Sequence, residues 1–265
     1  MRILIKGAGD LATGVAVRLR RAGFDIAMTD LPHPTAVRRT VSFCEAIPEG
    51  EAAVEGIRAR RAEGLDMALS IMAEGDVAVL ADPEARCLAA LTPVALVDAI
   101  LAKRNTGTTI QDAPVVVALG PGFTAGVDCH AVVETMRGHD LGRVLTSGAA
   151  RPNTGIPGEI GGFTVERLLR APADGFFQPL ASIGDVVQAG DVVAFVSGLP
   201  LKAQISGVVR GLLREGTPVH TDMKSGDIDP RCEVQHCFSV SDKARAIGGG
   251  VLEAVLMLGG ILDGK

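Results

Sequence analysis

MRILIKGAGDLATGVAVRLRRAGFDIAMTD, residues 1–30, is the stretch that decides the first fold expectation. Arg2–Lys6 is a short apolar run, Gly7-Ala8-Gly9 a tight turn, and Leu11–Arg21 carries helical periodicity with Arg18, Arg20 and Arg21 near its end. Gly23 stops the helix, and a second strand begins at Asp25 and closes on Asp30. Strand, glycine turn, helix and strand in this order are the grammar of a dinucleotide fold, where main-chain N–H groups at a helix N-terminus face a pyrophosphate. Ala12 takes the third small position of the Gly7-x-Gly9-x-x-Ala12 frame. Asp30 lies about 20 residues past the glycines, where a ribose hydroxyl would be received. Gly7, Gly9, Asp10, Leu11 and Asp30 are therefore the first cofactor-binding candidates. A domain that kept the shape and lost the ligand is the competing reading.

Composition narrows the function classes. The 265 residues suffice for one large domain or two modest ones. Hydrophobic residues reach 47% but aromatics only 3%, so the core is built of Val, Leu, Ile and Ala. With Trp and Tyr absent and Phe scattered, there is no stacking platform for single-stranded nucleic acid. A net charge of −5 without a basic block also argues against nucleic acid. The strand that begins at Arg2 leaves no room for a signal peptide, and the longest apolar run, near Val251–Leu258, is too short to span a bilayer. Five cysteines, at 44, 87, 129, 232 and 237, lack framework spacing, which suggests a reduced, cytoplasmic chain.

Further along, Leu31-Pro32-His33-Pro34 must be a loop. Arg38 and Arg39 follow, placed to meet a phosphate or carboxylate or simply solvated. Val41–Ala46 and Glu55–Ala62 read as strands, Gly64–Ala73 as a helix, and Val77–Ala81 as a buried parallel strand. Thr92-Pro93 carries the signature of a helix start, which predicts a helix to Lys103. The strand Val115–Leu119 leads into Gly120-Pro121-Gly122-Phe123-Thr124-Ala125-Gly126-Val127-Asp128-Cys129-His130. Gly120, Gly122 and Thr124 follow the carboxyl end of a sheet strand, where open α/β sheets collect ligands, and join the cofactor-binding candidates. Asn153–Gly158 is a second glycine-rich loop expected beside them.

From Ala171 helical periodicity gives way to a repeat. Gly175, Leu180, Gly184 and Val187 recur as Gly207, Leu212, Gly216 and Val219, which predicts a small duplicated β-structure. Gly184-Asp185-Val186-Val187-Gln188-Ala189-Gly190-Asp191 resembles the G-D-x-V-x-x-G-D element of biotinyl/lipoyl barrel-sandwich domains. Lys202 is too close to Gly207 to hold the carrier lysine's place. Asp227 and Asp229 of the GDIDPR turn are too few for an oxygen cage, and Cys232, His236 and Cys237 lack a fourth ligand, so no metal site is expected. Ser241-Asp242 starts a last helix containing Gly248-Gly249-Gly250, a composition that asks either for close backbone packing or for a helix that truly starts at Gly250, the glycines forming an anion nest.

Taken together, IKGAGDLATGVAVRLRRAGF, RRTVSFCEA, GPGFTAGVDCHAVVETMRGHDLGRVLTSG, PNTGIPG, GDIDPR and SDKARAIGGGVLEA resemble the YqeB family of the selenium-dependent molybdenum hydroxylase system. The opening half is also similar to the Rossmann part of XdhC-type maturation factors. The resemblance implies an accessory protein in molybdenum hydroxylase maturation that handles molybdenum cofactor or selenium. Its partners would be the hydroxylase or its maturation factors, a small-molecule cofactor, and a second copy of the chain; catalytic residues stay unassigned. NAD(P), another nucleotide, or molybdopterin would occupy the glycine turn. A second reading is an NAD(P)-dependent oxidoreductase in the same pathway, with His130 and Asp128 as proton-donor candidates. The expected architecture is an α/β chain. Residues 1–170 form a Rossmann-like three-layer nucleotide-binding domain, 171–237 an inserted β-rich barrel-sandwich hybrid, and 238–265 a helix that returns to the first domain.

Overall fold

The structure is a computed structural model and describes residues 1–260. The chain divides into two compact units. The first comprises Met1–Pro34, Ser42–Thr154 and the chain from Val240 onward; the second comprises Thr35–Val41 and Gly155–Ser239. Positions 261–265 of the expected returning segment lie outside the described residues.

In the first unit, β1 (Arg2–Lys6), α1 (Asp10–Arg21) and β2 (Asp25–Thr29) form as their periodicity dictates. They are followed by α2 (Ala46–Glu49), β3 (Glu51–Val54), β4 (Ile57–Ala62), α3 (Leu65–Ala73), β5 (Val77–Leu80), α4 (Leu88–Leu91), β6 (Ala95–Asp98) and β7 (Val115–Leu119). The remaining strands are β8 (Thr124–Ala125), β9 (Ala131–Val133), β10 (Val144–Leu145) and β11 (Gly148–Ala149). Nine strands make one sheet in the order β10-β9-β7-β6-β1-β2-β5-β4-β3. The pairings from β9 to β4 are all parallel, and the hairpin partners β10 and β3 close the two edges antiparallel.

This corrects the expected Rossmann-like three-layer domain. It is a mixed sheet with a large parallel core, and only the β1-α1-β2 crossover carries a helix of three turns. The predicted helix from Thr92 is absent. Thr92 ends α4 in the left-handed region (φ +45°), which an N-cap does not adopt, and Ala95–Asp98 is instead a fully buried strand beside β1. An apolar run covered on both faces reads alike as helix or strand, and its place next to β1 decides it. The expected strand over Val41–Ala46 is likewise replaced by 3-10 turns at Arg39–Val41 and Phe43–Glu45.

One sheet face carries Leu4, Ala27, Ala78, Leu96, Val116 and Val132, and packs with Ala68, Ile71 and Met72 of α3 and with Leu91 and Phe123. The other face, on the Val133 side, receives α5 (Asp242–Leu258). Ser241 caps α5 by accepting the Ala244 N–H at 3.1 Å. The α5 helix crosses α1 at small residues: a Cβ on Gly14 would stand 2.6 Å from Ala244 Cβ, and one on Gly248 would stand 2.9 Å from the Gly14 carbonyl. Gly250 lies so close to the Gly142 carbonyl that no side chain fits, whereas a Cβ on Gly249 meets open space. The β3–β4 turn anchors the start of α5. Glu55 (φ +49°) and Gly56 (φ +80°) both take left-handed backbone there. The Glu55 carboxylate accepts the Val240 N–H at 3.0 Å and Arg245 Nη2 at 2.6 Å, and pairs with Arg21 at 3.2 Å.

The second unit holds β12 (Leu168–Arg170), β13 (Gly175–Pro179), β14 (Val186–Val187), β15 (Val192–Val196), β16 (Leu199–Lys202), β17 (Gly207–Leu212), β18 (Pro218–Val219) and β19 (Lys224–Asp229). They form two four-stranded sheets, β12-β19-β17-β14 and β16-β15-β13-β18. The repeat explains the pairing: β14 of the first copy joins β17 of the second, and β18 of the second joins β13 of the first. Each half completes the other's sheet, and Phe177, Val193, Val209, Leu212 and Ile228 fill the core. The unit differs in extent from the barrel-sandwich hybrid expected over 171–237. It begins at Gly155 and recruits Thr35–Val41, whose Val37 carbonyl accepts the Leu212 N–H at 2.7 Å.

The three glycines of α5 give a direct test of its packing. Gly249→Ala is expected to raise stability in urea denaturation by up to about 1 kcal/mol, the glycine-to-alanine helix difference. Gly250→Ala, which drives a methyl into the Gly142 carbonyl, is expected to lower it by about 1–3 kcal/mol.

Candidate functional site

From β1 the chain moves outward through β2 to the β3–β4 edge, returns through β5, then crosses to β6 on the other side of β1. The topological switch point therefore lies between β1 and β6, and open α/β sheets bind ligands at the carboxyl ends of strands there. Apart from Arg2 at the start of β1, both strands are apolar until their last residue, and those residues are Lys6 and Asp98. The two side chains are nearly buried, at 7% and 1% exposure, with Lys6 Nζ 3.6 Å from Asp98 Oδ2. Thr108 bridges them: its hydroxyl accepts from Lys6 Nζ at 2.7 Å and donates to Asp98 Oδ2 at 2.6 Å. Asp98 Oδ1 also accepts the Ile100 N–H, and Asn105 folds the loop by accepting the N–H groups of Gly107 and Thr108. Lys6, Asp98, Thr108 and Asn105 were not among the sequence candidates. The available signal was a charged residue ending an otherwise apolar strand.

The candidates themselves separate by cause. Gly7 (φ +93°) has a turn conformation and a Cβ position 2.8 Å from the Ala99 carbonyl, so the fold alone requires glycine. Gly120 (φ +71°) abuts Thr135 Oγ1, and Gly122 (φ +110°) abuts the Arg104 backbone. The loop after β6 thus touches the glycine turn at Ala99 and the Gly120–Gly122 loop at Arg104, which brings both candidate loops to one sheet end. Gly9 is different. It is the N-cap of α1 with φ −69° and ψ −174°, a conformation open to any residue, and nothing stands within 4 Å of its Cβ position. No side chain caps α1 there, and Asp10 and Leu11, both half-buried, open its first turn.

Asp30 faces the turn rather than standing clear of it. Its two oxygens accept the Ala8 N–H and the Leu31 N–H, each at 2.7 Å, so it ties the end of β2 to the turn after β1. Burial pushes its carboxyl above the ordinary value, partly offset by the hydrogen bonds from Leu31 and Ala8. Thr124 N–H donates to Asp128 Oδ2 at 2.7 Å, and His130 Nδ1 accepts the Val116 N–H at 3.0 Å. The pair expected to supply a proton in the oxidoreductase reading is therefore engaged with main chain. Burial, reinforced by the Asp82 and Asp128 carboxylates respectively, pushes the Cys87 and Cys129 thiols up to about 12, and Cys44 is raised further by burial beside Asp30. All three stay protonated at neutral pH and are poor nucleophiles. Among the described residues no group of three or more His, Cys, Asp or Glu side chains is placed to hold a metal ion. The Asn153–Gly158 loop straddles the boundary between the units at Thr154 and Gly155.

No protein-family model matches the chain. An uncharacterized protein YqeB of Escherichia coli strain K12 is 52% identical over 256 residues, covering 97% of this chain and 47% of that protein. The chain spans about half the length of the curated relative it matches. Solved structures with some likeness to the chain include an aspartoacylase family protein of Mesorhizobium loti, at 14% identity and TM-score 0.29. A succinylglutamate desuccinylase of Silicibacter has 14% identity and TM-score 0.26, and each alignment covers 86% of this chain and 84% of the other. Scores this low transfer neither fold nor activity. The nine-stranded mixed sheet, and not these likenesses, corrects the expectation of an XdhC-like Rossmann factor with a barrel-sandwich hybrid. The relative's name carries no activity, so it gives no support to the expected molybdenum hydroxylase maturation, selenium handling or NAD(P)-dependent oxidoreductase. Among the described residues no helix is long and apolar enough to cross a membrane.

Two measurements test the electrostatics of this sheet end. Lys6→Met, which leaves Asp98 buried without its cation, is expected to cost about 3 kcal/mol or more, and Thr108→Val about 1–3 kcal/mol, in urea denaturation. Asp30, whose folded-state carboxyl titrates above its unfolded value, binds its proton more tightly when folded. Its contribution to stability is therefore lost as pH rises through the raised value. Wild type should accordingly lose stability relative to Asp30→Asn as pH rises above about 4, the unfolded carboxylate value.

Proposed function

We propose that the first unit is a small-molecule-binding domain whose ligand presents an anionic group, of phosphate or diphosphate type, to the N-terminus of α1. Gly9 is the single observation that carries this reading: a residue with no conformational or packing need to be glycine lies under open space at an uncapped helix start. The switch point beside it and the converging loops after β1, β6 and β7 support the same location. The residues in contact would be Gly9, Asp10 and Leu11, with Gly7, Asp30, Gly120, Gly122 and Thr124 shaping the surrounding loops. Binding rather than catalysis is the reading, because His130, Asp128 and the buried thiols are engaged or protonated. Five cysteines without a disulfide suit a reducing, cytoplasmic setting.

Absence of Trp makes NADH fluorescence readable against little protein background. NADH, ADP and inorganic pyrophosphate, titrated by fluorescence or calorimetry, form the probe set. At least one is expected to bind, and Gly9→Val should weaken it tenfold or more while lowering the melting temperature by only a few degrees, the scale of an N-cap change. Unchanged binding in Gly9→Val, or binding by none of the three probes, overturns the proposal.

A further inference from the structure

The GDIDPR segment ends β19 in the second unit, and its aspartates pair with arginines. Asp227 accepts from Arg167 Nη1 at 2.9 Å, and Asp229 takes Arg231 as a fork, Nε at 2.9 Å and Nη2 at 2.6 Å. Arg210, on the neighbouring β17, is 6% exposed, yet no hydrogen bond ends on its guanidinium among the described residues. Among the described residues its ion-pair contact is Nη1 to Asp229 Oδ2 at 3.5 Å, on a carboxylate already forked by Arg231, and its Nε is sealed without a partner. Arg38, also buried, adds like charge beside it while donating to the His236 carbonyl at 2.9 Å. Asp227 is thus paired with Arg167 and Asp229 is forked by Arg231, which leaves neither carboxylate to Arg210 alone. The Nδ1 of His236, next to Cys237, and the Nε of Arg167 are further buried side-chain nitrogens without a hydrogen-bond partner among the described residues. A buried charge of this kind is unfavourable unless paired and hydrogen-bonded, and a planar guanidinium is shaped for an oxyanion.

We propose that Arg210 is the centre of an oxyanion site in the second unit, taking a phosphate- or carboxylate-type group with Arg38 and His236 at its margin. Burial and the adjacent Arg38 both lower the Arg210 guanidinium's hold on its proton, the direction an approaching anion reverses. This site is independent of the one at α1, since its residues all belong to the other unit.

The test is the melting temperature of the full chain titrated with inorganic phosphate, sulfate or acetate, each against chloride at constant ionic strength. At least one oxyanion is expected to give a saturable rise that chloride does not, and the phosphate and acetate arms identify which group is preferred. Arg210→Met should abolish the rise and leave the anion-free protein at least as stable. Should Arg210→Met fail to fold, Arg210→Lys decides: it keeps the charge and loses the planar fork, and its saturation midpoint should move tenfold or more to higher concentration. A response equal to that of chloride, or one unchanged in either folded variant, overturns the site.

Discussion

The contact between α1 and α5 is the constraint from which the first unit follows. Gly14 on one helix faces Ala244 and Gly248 on the other at distances that admit no larger side chain, and Gly250 lies directly on the Gly142 carbonyl. Helices normally pack with axes about 8–10 Å apart, and small residues at the crossing allow the near end of that range. The helix propensity lost at three glycines is offset by the contacts their missing side chains permit. Through this crossing, the segment after Val240 covers the β7, β9 and β10 part of the sheet, where the local connections supply loops instead of helices.

At the other end of the sheet, charge is used to fix loops. Asp30 ties β2 to the turn after β1, Asp98 and Lys6 close on Thr108, and Asp128 holds the Thr124 amide. Each carboxylate accepts main-chain or buried hydroxyl donors, so each polar group taken from water is matched. The result is a rigid rim around the start of α1, with Gly9 as the position the rim leaves uncovered. Preorganisation of this kind lowers the cost of ordering a ligand, which is why the rim and not a titrating side chain defines the proposed site.

In the second unit the constraint is duplication. Two copies of a short glycine-cornered segment exchange strands, β14 to β17 and β18 to β13, so that neither copy has a complete sheet of its own. The same arrangement leaves β17 and β19 side by side and brings Arg210 beside Asp227 and Asp229.

The amino-acid sequence by itself determined the local elements: the β1-turn-α1-β2 opening, the buried strands at Val77 and Val115, the repeat, and the Ser241 cap of α5. Periodicity of 2.0 or 3.6, caps and turn residues act within a few positions and can be read there. Tertiary structure decided what those signals leave open. Whether Ala95–Asp98 became strand or helix depended on the vacant edge of β1, and a buried apolar run satisfies either. Sequence placed Gly7, Gly9, Gly120 and Gly122 in one class, while the fold separated three required by positive φ and close neighbours from the one that is not. Lys6 and Asp98 lie 92 positions apart and GDIDPR is far from Arg167, so their pairing is set only when the strands acquire neighbours. The glycine turn was legible as a shape, and what surrounds it was a property of the assembled sheet.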